Sequence, residues 1–294
     1  MNLEEETRSG YLVSAQMKKV WAVQMELLKK LLEVCSKHQL KVWADGGTLL
    51  GTIRHQGYIP WDDDIDVVML RDDYDKLVRL APKEFNHPFF FQCAYTEKFY
   101  PRGHAQIRMD GTTAILPYPE FVNTHQGIFI DIFPFDAVPD DPVAQKELIA
   151  KRNERMAAML ASGAKPSLSH LGRSCRNLKN RLRFKDLFFQ FDEMLRENKI
   201  EDNAVVSCLS FKVDPDHLFR DKHWYDSTLY LPFEDIMIPV PVGYHQILQR
   251  QYGDYMVPRQ EPTIHGGFWK LDTEHPYQEY IPTLKRMIRK GMVK

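Results

Sequence analysis

The sequence predicts an α+β fold: a mixed sheet flanked by helices, with an additional helical region. Two observations point there. The composition is that of an ordinary globular protein, 44% hydrophobic and 27% charged, and 294 residues suffice to bury a sizeable core. Segments of helical and of alternating periodicity interleave along the chain without a regular strand–helix alternation, internal repeat or low-complexity tract, which favours α+β over a doubly wound parallel sheet. The formal net charge is −1, so the chain as a whole has no electrostatic pull on nucleic acid and none is expected as a partner. No run approaches the roughly 20 apolar residues of a membrane span. The acidic start "MNLEEETRSG" lacks the basic and apolar regions of a signal peptide. Cys35, Cys93, Cys175 and Cys208 are widely spaced and read as reduced thiols of a cytoplasmic protein, not as a zinc site or disulfide framework.

The elements follow in order. Residues 14–39 carry Val20, Trp21, Leu27, Leu28, Leu31 and Cys35 at helical spacing, a first long helix. Val42-Trp43-Ala44 reads as a short strand, "TLLGTIRH" as a short helix and Gly57 to Pro60 as a turn. A strand begins near Asp64 and a helix covers the region of Asp72 to Leu80. Further strands are expected at Phe89–Cys93, His104–Arg108 and Gly127–Phe133, with Pro134, Pro139 and Pro142 ending that region. From Val143 to Asn198 the pattern is helical and charged, broken near "SGAKPSLSH". "YLPFEDIMIPVP" suggests a hairpin, and "GYHQILQRQYG" a helix closed by Gly253. Residues 1–142 are read as the core of the fold, 143–200 as a charged helical insertion, and 201–294 as a mixed part completing the same domain.

"GYIPWDDDIDVVML" (57–70) puts four aspartates into five positions ahead of an apolar run. Side chains two apart on a strand share a face. Ile65, Val67 and Met69 would then face the core and Asp64 and Asp66 the other side, with Asp62 and Asp63 left in water ahead of the strand. Two carboxylates about 7 Å apart can share a hard divalent cation. Asp131, alone in the apolar run "GIFIDIFPFD", is the candidate third ligand, because an unpaired charge there would cost several kcal/mol. A solvated turn at 62–66 and an Asp131 bonded to backbone amides are the competing readings. "DGGTLLG" adds Gly46 and Gly47 between a strand and a helix, where backbone can approach a phosphate at the helix N-terminus. A glycine pair, a D-x-D strand and a later strand aspartate together resemble the nucleotidyltransferase fold.

The likeness is closer than that. "DGGTLLGTIRHQGYIPWDDDIDV" with "GIFIDIFPFD", supported by "IRMDGTT" and "FEDIMIPVP…LQRQYGDYMVP", resembles the LicD family of phosphocholine transferases and, more distantly, fukutin-type ribitol-phosphate transferases. The resemblance implies a CDP-alcohol-dependent phosphotransferase. Phosphocholine or a related phospho-alcohol would pass from CDP-choline or another CDP-linked donor to a hydroxyl of a glycan or lipid-linked glycan, as in teichoic acid or lipopolysaccharide modification, with release of CMP. It implies Mg²⁺, as one ion or a pair and replaceable by Mn²⁺, on Asp64, Asp66 and Asp131, which would also be the catalytic set. Asp131 or a carboxylate beside it would take the hydroxyl proton. Nucleotidyl transfer from CTP or ATP, and non-catalytic glycan or nucleotide binding, are the alternatives.

Gly46, Gly47, Thr48, Arg54 and Arg108 are the expected substrate-binding residues. Arg54 either holds a phosphate or pairs with Asp62 or Asp63. His104, His125 and His265 show no metal-ligand spacing, and His55 reads as structural. Tyr58, Trp61, Phe129, Phe133 and Phe135 flank the aspartates and permit a quaternary ammonium, although aromatic residues beside strands are more often core. "GRSCRNLKNRLRFKDLFF" carries six basic residues between Arg173 and Lys185. Residues 171–189 thus form either a solvated helix packed on the core or a basic amphipathic helix for peripheral contact at the inner face of the plasma membrane.

Overall fold

The computed structural model describes residues 1–98, 100–116, 121–163, 183–260 and 268–290. A short antiparallel hairpin, β1 (Glu6–Arg8) and β2 (Tyr11–Val13), leads into α1 (Ala15–Lys37). Ser14 caps α1, its hydroxyl accepting from the Met17 amide at 3.2 Å. Trp21, Leu27, Leu28 and Leu31 form the helix's fully buried face. β3 (Trp43–Ala44), α2 (Gly46–His55), β4 (Asp66–Leu70) and α3 (Arg71–Glu84) follow, and then β5 (Phe89–Gln92), β6 (Ala105–Met109), β7 (Thr113–Ile115) and the long β8 (Phe129–Val138).

β8 is the spine. It pairs in parallel with β4, antiparallel with β6 along its first half, and antiparallel with β9 (Val205–Ser207) along its second. With β3, β5 and β10 (Arg220–Asp221) these strands make one mixed seven-stranded sheet. α1 and α3 both lie against β8. Proline does not end β8 as the sequence suggested: Pro134 sits inside it, in register with Met69. The Asp131 amide points to β4, donating to the Ile65 carbonyl at 2.9 Å, so by alternation position 134 faces the other side. There β6 pairs only as far as Ile132 and β9 begins at Asp136, and the missing N–H falls in the gap.

α4 (Pro142–Gly163) and α5 (Phe184–Leu195) pack together around Leu148, Met159, Phe188 and Phe191, and the cluster includes Val138 at the end of β8 and Leu209. A one-turn helix, α6 (Pro215–Leu218), precedes β10. The expected hairpin forms from β11 (Thr228–Phe233) and β12 (Ile236–Pro241), and α7 (Tyr244–Tyr252) closes at Gly253 with φ +66°. β13 (Lys270–Asp272) pairs with β7, and α8 (Ile281–Arg289) follows. Among the described residues no helix is long and apolar enough to cross a membrane. Cys35, Cys93 and Cys208 are unpaired, while Cys175, His265 and most of the basic 171–189 stretch lie outside the described residues.

Candidate active site

The floor of the site is the β4–β8 ladder. Asp66 and Asp131 are partners in parallel register, so their side chains project from the same face of the sheet. The start of α2 fixes Asp66. Its amide donates to Thr48 Oγ1 at 2.9 Å and its carbonyl accepts from the Asp45 amide at 3.0 Å. Gly46 has φ +50°, and a Cβ on Gly47 would stand 2.5 Å from Asp62 Oδ2. The glycine pair therefore makes room for carboxylates against the helix start. Thr48 is buried and its hydroxyl is engaged with the Asp66 backbone.

The aspartate run differs from the alternating pattern expected. β4 begins at Asp66, and Asp64 lies in the loop ahead of it. Nor do Asp62 and Asp63 remain in water. Trp21 Nε1 donates to the Asp62 carbonyl at 3.0 Å and Gln24 Nε2 to the Asp63 carbonyl at 2.8 Å, so α1 takes up loop carbonyls that a neighbouring strand would otherwise hold. Pinned beneath α1, Asp63 is 6% exposed. Carboxylate oxygens of Asp62, Asp63 and Asp64 lie within 4.8 Å of one another. Among the described residues the expected set of Asp64, Asp66 and Asp131 does not form so tight a group. The core face is as expected, with Ile65, Val67 and Met69 buried, but Val68 on the opposite face is buried as well.

The electrostatics are those of crowded acids. Burial holds Asp66 well above the usual carboxylate range, and the charges of Asp64, Asp131, Asp45 and Asp62 add to the effect. Asp62 is raised in the same way by burial, then by Asp64 and Asp63. Asp45 is compensated by the buried Arg220, whose Nη1 pairs with it and also donates to Tyr225 Oη at 2.7 Å.

Asp131 has an elaborate setting. Gln106 Nε2 donates to its Oδ1 at 2.7 Å, and His104 Nε2 lies 3.1 Å from the same oxygen. His104 is 1% exposed, and its Nδ1 has no partner among the described residues. Arg108 sits one step behind. Its guanidinium donates to Gln106 Oε1 at 2.6 Å, to the Gly127 carbonyl at 2.7 Å and to Gln92, and it lies 4.5 Å from the Phe129 ring. Burial lowers its pKa to about 10. Arg108 thus orients Gln106, which orients Asp131. Arg54, half-buried, donates from Nη1 to the Tyr255 carbonyl at 2.8 Å. Of the five aromatic residues, Tyr58, Phe129 and Phe135 are core, while Trp61 and Phe133 are half-buried.

Sequence reasoning missed Arg220, His104 and Gln106. The alternation in "HAQIRM" carries a signal for two of them, since His104, Gln106 and Arg108 fall on one face of β6 and Gln106 is in register with Asp131. Nothing local in the sequence ties Arg220 to Asp45, 175 positions away.

The donor set fits a hard divalent cation. All the crowded ligand atoms are carboxylate oxygens, and a bound cation would offset the repulsion that, after burial, raises Asp62 and Asp66.

Comparison with known proteins places this geometry. The family described as LicD/FKTN/FKRP, nucleotidyltransferase domain, matches residues 39–159, a stretch that contains α2, β4 and β8. The lipopolysaccharide cholinephosphotransferase LicD of Haemophilus influenzae is 29% identical over 245 residues, covering 81% of this chain and 90% of that protein. Residues 39–159 thus resemble a LicD-type nucleotidyltransferase domain, and the likeness to a LicD protein runs over most of the chain. An uncharacterized protein of Rickettsia prowazekii is 27% identical over 148 residues, 50% of this chain and 52% of its own length. The mixed α+β sheet is consistent with a nucleotidyltransferase-like domain, and Asp66 and Asp131 lie on its two parallel strands, β4 and β8.

Proposed function

We propose that the chain transfers phosphocholine, or a related phospho-alcohol, from a CDP-linked donor to a hydroxyl of a cell-surface glycan precursor, with lipopolysaccharide as the acceptor class and CMP as the other product. The carrying observation is the in-register Asp66–Asp131 pair set within a buried excess of carboxylates. The likeness to the Haemophilus cholinephosphotransferase supplies the chemical class.

Asp64, Asp66 and Asp131 would hold Mg²⁺, with Asp62 beside them. Bound there, the ion would neutralise diphosphate charge and polarise the phosphoryl oxygens. The chain's own residues do the rest. Thr48 and the Asp45 amide fix the backbone of Asp66. Gln106 and His104 aim N–H donors at Asp131 Oδ1, setting the rotamer of that carboxylate. The acceptor oxygen bonds to the phosphorus distal to cytidine, and the bond from that phosphorus to the bridging oxygen breaks with its electron pair leaving on CMP. Asp131, or a carboxylate next to it, takes the hydroxyl proton. Residues 171–189, of which Phe184 and Phe188 are packed into the α4–α5 cluster, would supply a peripheral membrane contact for a lipid-linked acceptor.

The test is thermal stabilisation of the purified protein by CDP-choline, CDP-ribitol, CDP-glycerol, CTP and ATP, with and without Mg²⁺. A ligand at 100 times its dissociation constant adds about 2.7 kcal/mol. Mg²⁺-dependent stabilisation by one CDP-alcohol above CTP is the expected result. Stabilisation by CTP or ATP alone would replace this reading with nucleotidyl transfer, and no response to any ligand would leave a non-catalytic binding protein.

A further inference from the structure

We infer that Arg102, Phe133 and Phe211 form a headgroup subsite beside Asp131, in which Arg102 receives the distal phosphoryl group and the two rings receive a quaternary ammonium. The inference rests on the phosphotransferase reading and names the alcohol: choline rather than ribitol or glycerol.

The argument begins with where the arginines around the site direct their donors. Arg108 is buried with every guanidinium nitrogen bonded. Arg220 is held by Asp45, Tyr225 and Gln251. Arg54 donates to a backbone carbonyl. Arg102 differs. Its Nη1 lies 3.3 Å from His104 Nε2 and 3.8 Å from Asp131 Oδ1. Among the described residues Arg102 Nε and Nη2 donate to no acceptor, and the guanidinium lies 5.0 Å from the Phe121 ring. Its side chain is 17% exposed, within reach of a ligand, and a planar guanidinium with unengaged donors next to the acids suits a phosphoryl group.

The rings meet the same imidazole from elsewhere. Phe133 and Phe211 lie 4.5 and 5.7 Å from the His104 ring and 5.6 Å from each other. Phe211 is 49% exposed, a large apolar ring left in water beside a charged site. It is held there deliberately. Arg152 of α4 donates to the Leu209 carbonyl at 2.7 Å and to the Phe211 carbonyl. A Cβ on Gly103 would stand 2.9 Å from Ser210 Cβ, so glycine between Arg102 and His104 lets the Phe211 loop close on them. A guanidinium, the half-buried Phe133 and the exposed Phe211 thus stand around one imidazole, a set that suits a phosphate and a trimethylammonium joined by two carbons.

The experiment measures binding of CDP-choline, CDP-glycerol and CMP to the full chain with Mg²⁺, by calorimetry, for the wild type and for Phe211→Ala, Phe211→Trp and Arg102→Gln. Phe211→Ala should weaken CDP-choline about 10-fold and leave CDP-glycerol unchanged, while Phe211→Trp retains CDP-choline. Arg102→Gln should weaken both CDP-alcohols about 10-fold and CMP hardly at all. If Phe211→Ala weakens CDP-choline and CDP-glycerol alike, or affects neither, the subsite is wrong while the phosphotransferase reading stands. A wild type that binds neither CDP-alcohol overturns both.

Discussion

Asp131 and Asp136 stand five residues apart on β8, on opposite faces, and both are buried, at 3% and 0% exposed. Their surroundings differ in kind. Asp136 receives Arg71 Nε at 2.6 Å and Nη2 at 2.8 Å. Arg71 also reaches Asp192 at 3.3 Å, and Arg196 grips Asp75 twice at 2.7 Å and Asp192 once at 2.7 Å. Each acid of that network touches an arginine, and through Asp192 it fastens α5 to the sheet. On the other face Asp131 shares its surroundings with Asp45, Asp62, Asp64 and Asp66, and among the described residues only two arginines answer these five acids: Arg220 pairs with Asp45, and Arg102 reaches Asp131 at 3.8 Å. A protein buries matched charges to hold its parts together. It tolerates an unmatched excess where a ligand completes the balance.

Asparagine substitutions on the two faces give the widest contrast. Asp66→Asn should reduce turnover to background yet raise the melting temperature of the metal-free protein by about 2 °C, the gain expected from relieving roughly 1 kcal/mol of repulsion. Near-normal activity in Asp66→Asn or Asp64→Asn would remove the metal assignment. Asp136→Asn should do the opposite, costing about 3–5 kcal/mol in denaturant unfolding because it uncouples a buried arginine, while the fraction still folded turns over normally. Thr48→Val should cost about 1–3 kcal/mol by stranding the Asp66 amide, and turnover should fall further than stability explains, since Asp66 loses its anchor. A Thr48→Val enzyme that kept its full rate would show that this hydrogen bond does not position the site.

The last contrast concerns acid. Burial, and after it the nearby Arg108 guanidinium, hold His125 down to about 4, whereas an unfolded imidazole titrates near 6.5. Between those values the unfolded chain binds the extra proton, so stability falls as pH drops from about 6.5 to about 4. Melting curves across that window should show the loss, and His125→Gln should lessen it, with His55, which burial also holds down to about 4, contributing to what remains. An unchanged slope in the variant would assign the acid sensitivity to other groups.

The sequence made the elements around the site legible because each has a local cause. α1 follows its apolar spacing and Ser14 cap, α2 begins at the glycine pair, and the β11–β12 hairpin follows its apolar run. The aspartates announced themselves by crowding. What could not be read was how they are held, because that depends on partners far along the chain: Trp21 and Gln24 draw Asp62 and Asp63 inward, and Gln106 and His104 frame Asp131. Arg54 and Arg108 illustrate the same limit. An arginine's presence beside a motif is visible in sequence, but the acceptors that occupy its donors are not.

The pairing of Asp45 with Arg220, and of Arg54 with the Tyr255 carbonyl, spans 175 and 201 positions. During synthesis, therefore, the acid-rich loop and its helix emerge long before the residues that brace them. Such distant closures make for slow folding, since chain entropy is lost well before these contacts repay it. A nascent chain spends that interval with like charges crowded and uncompensated, a repulsion that a bound cation would relieve.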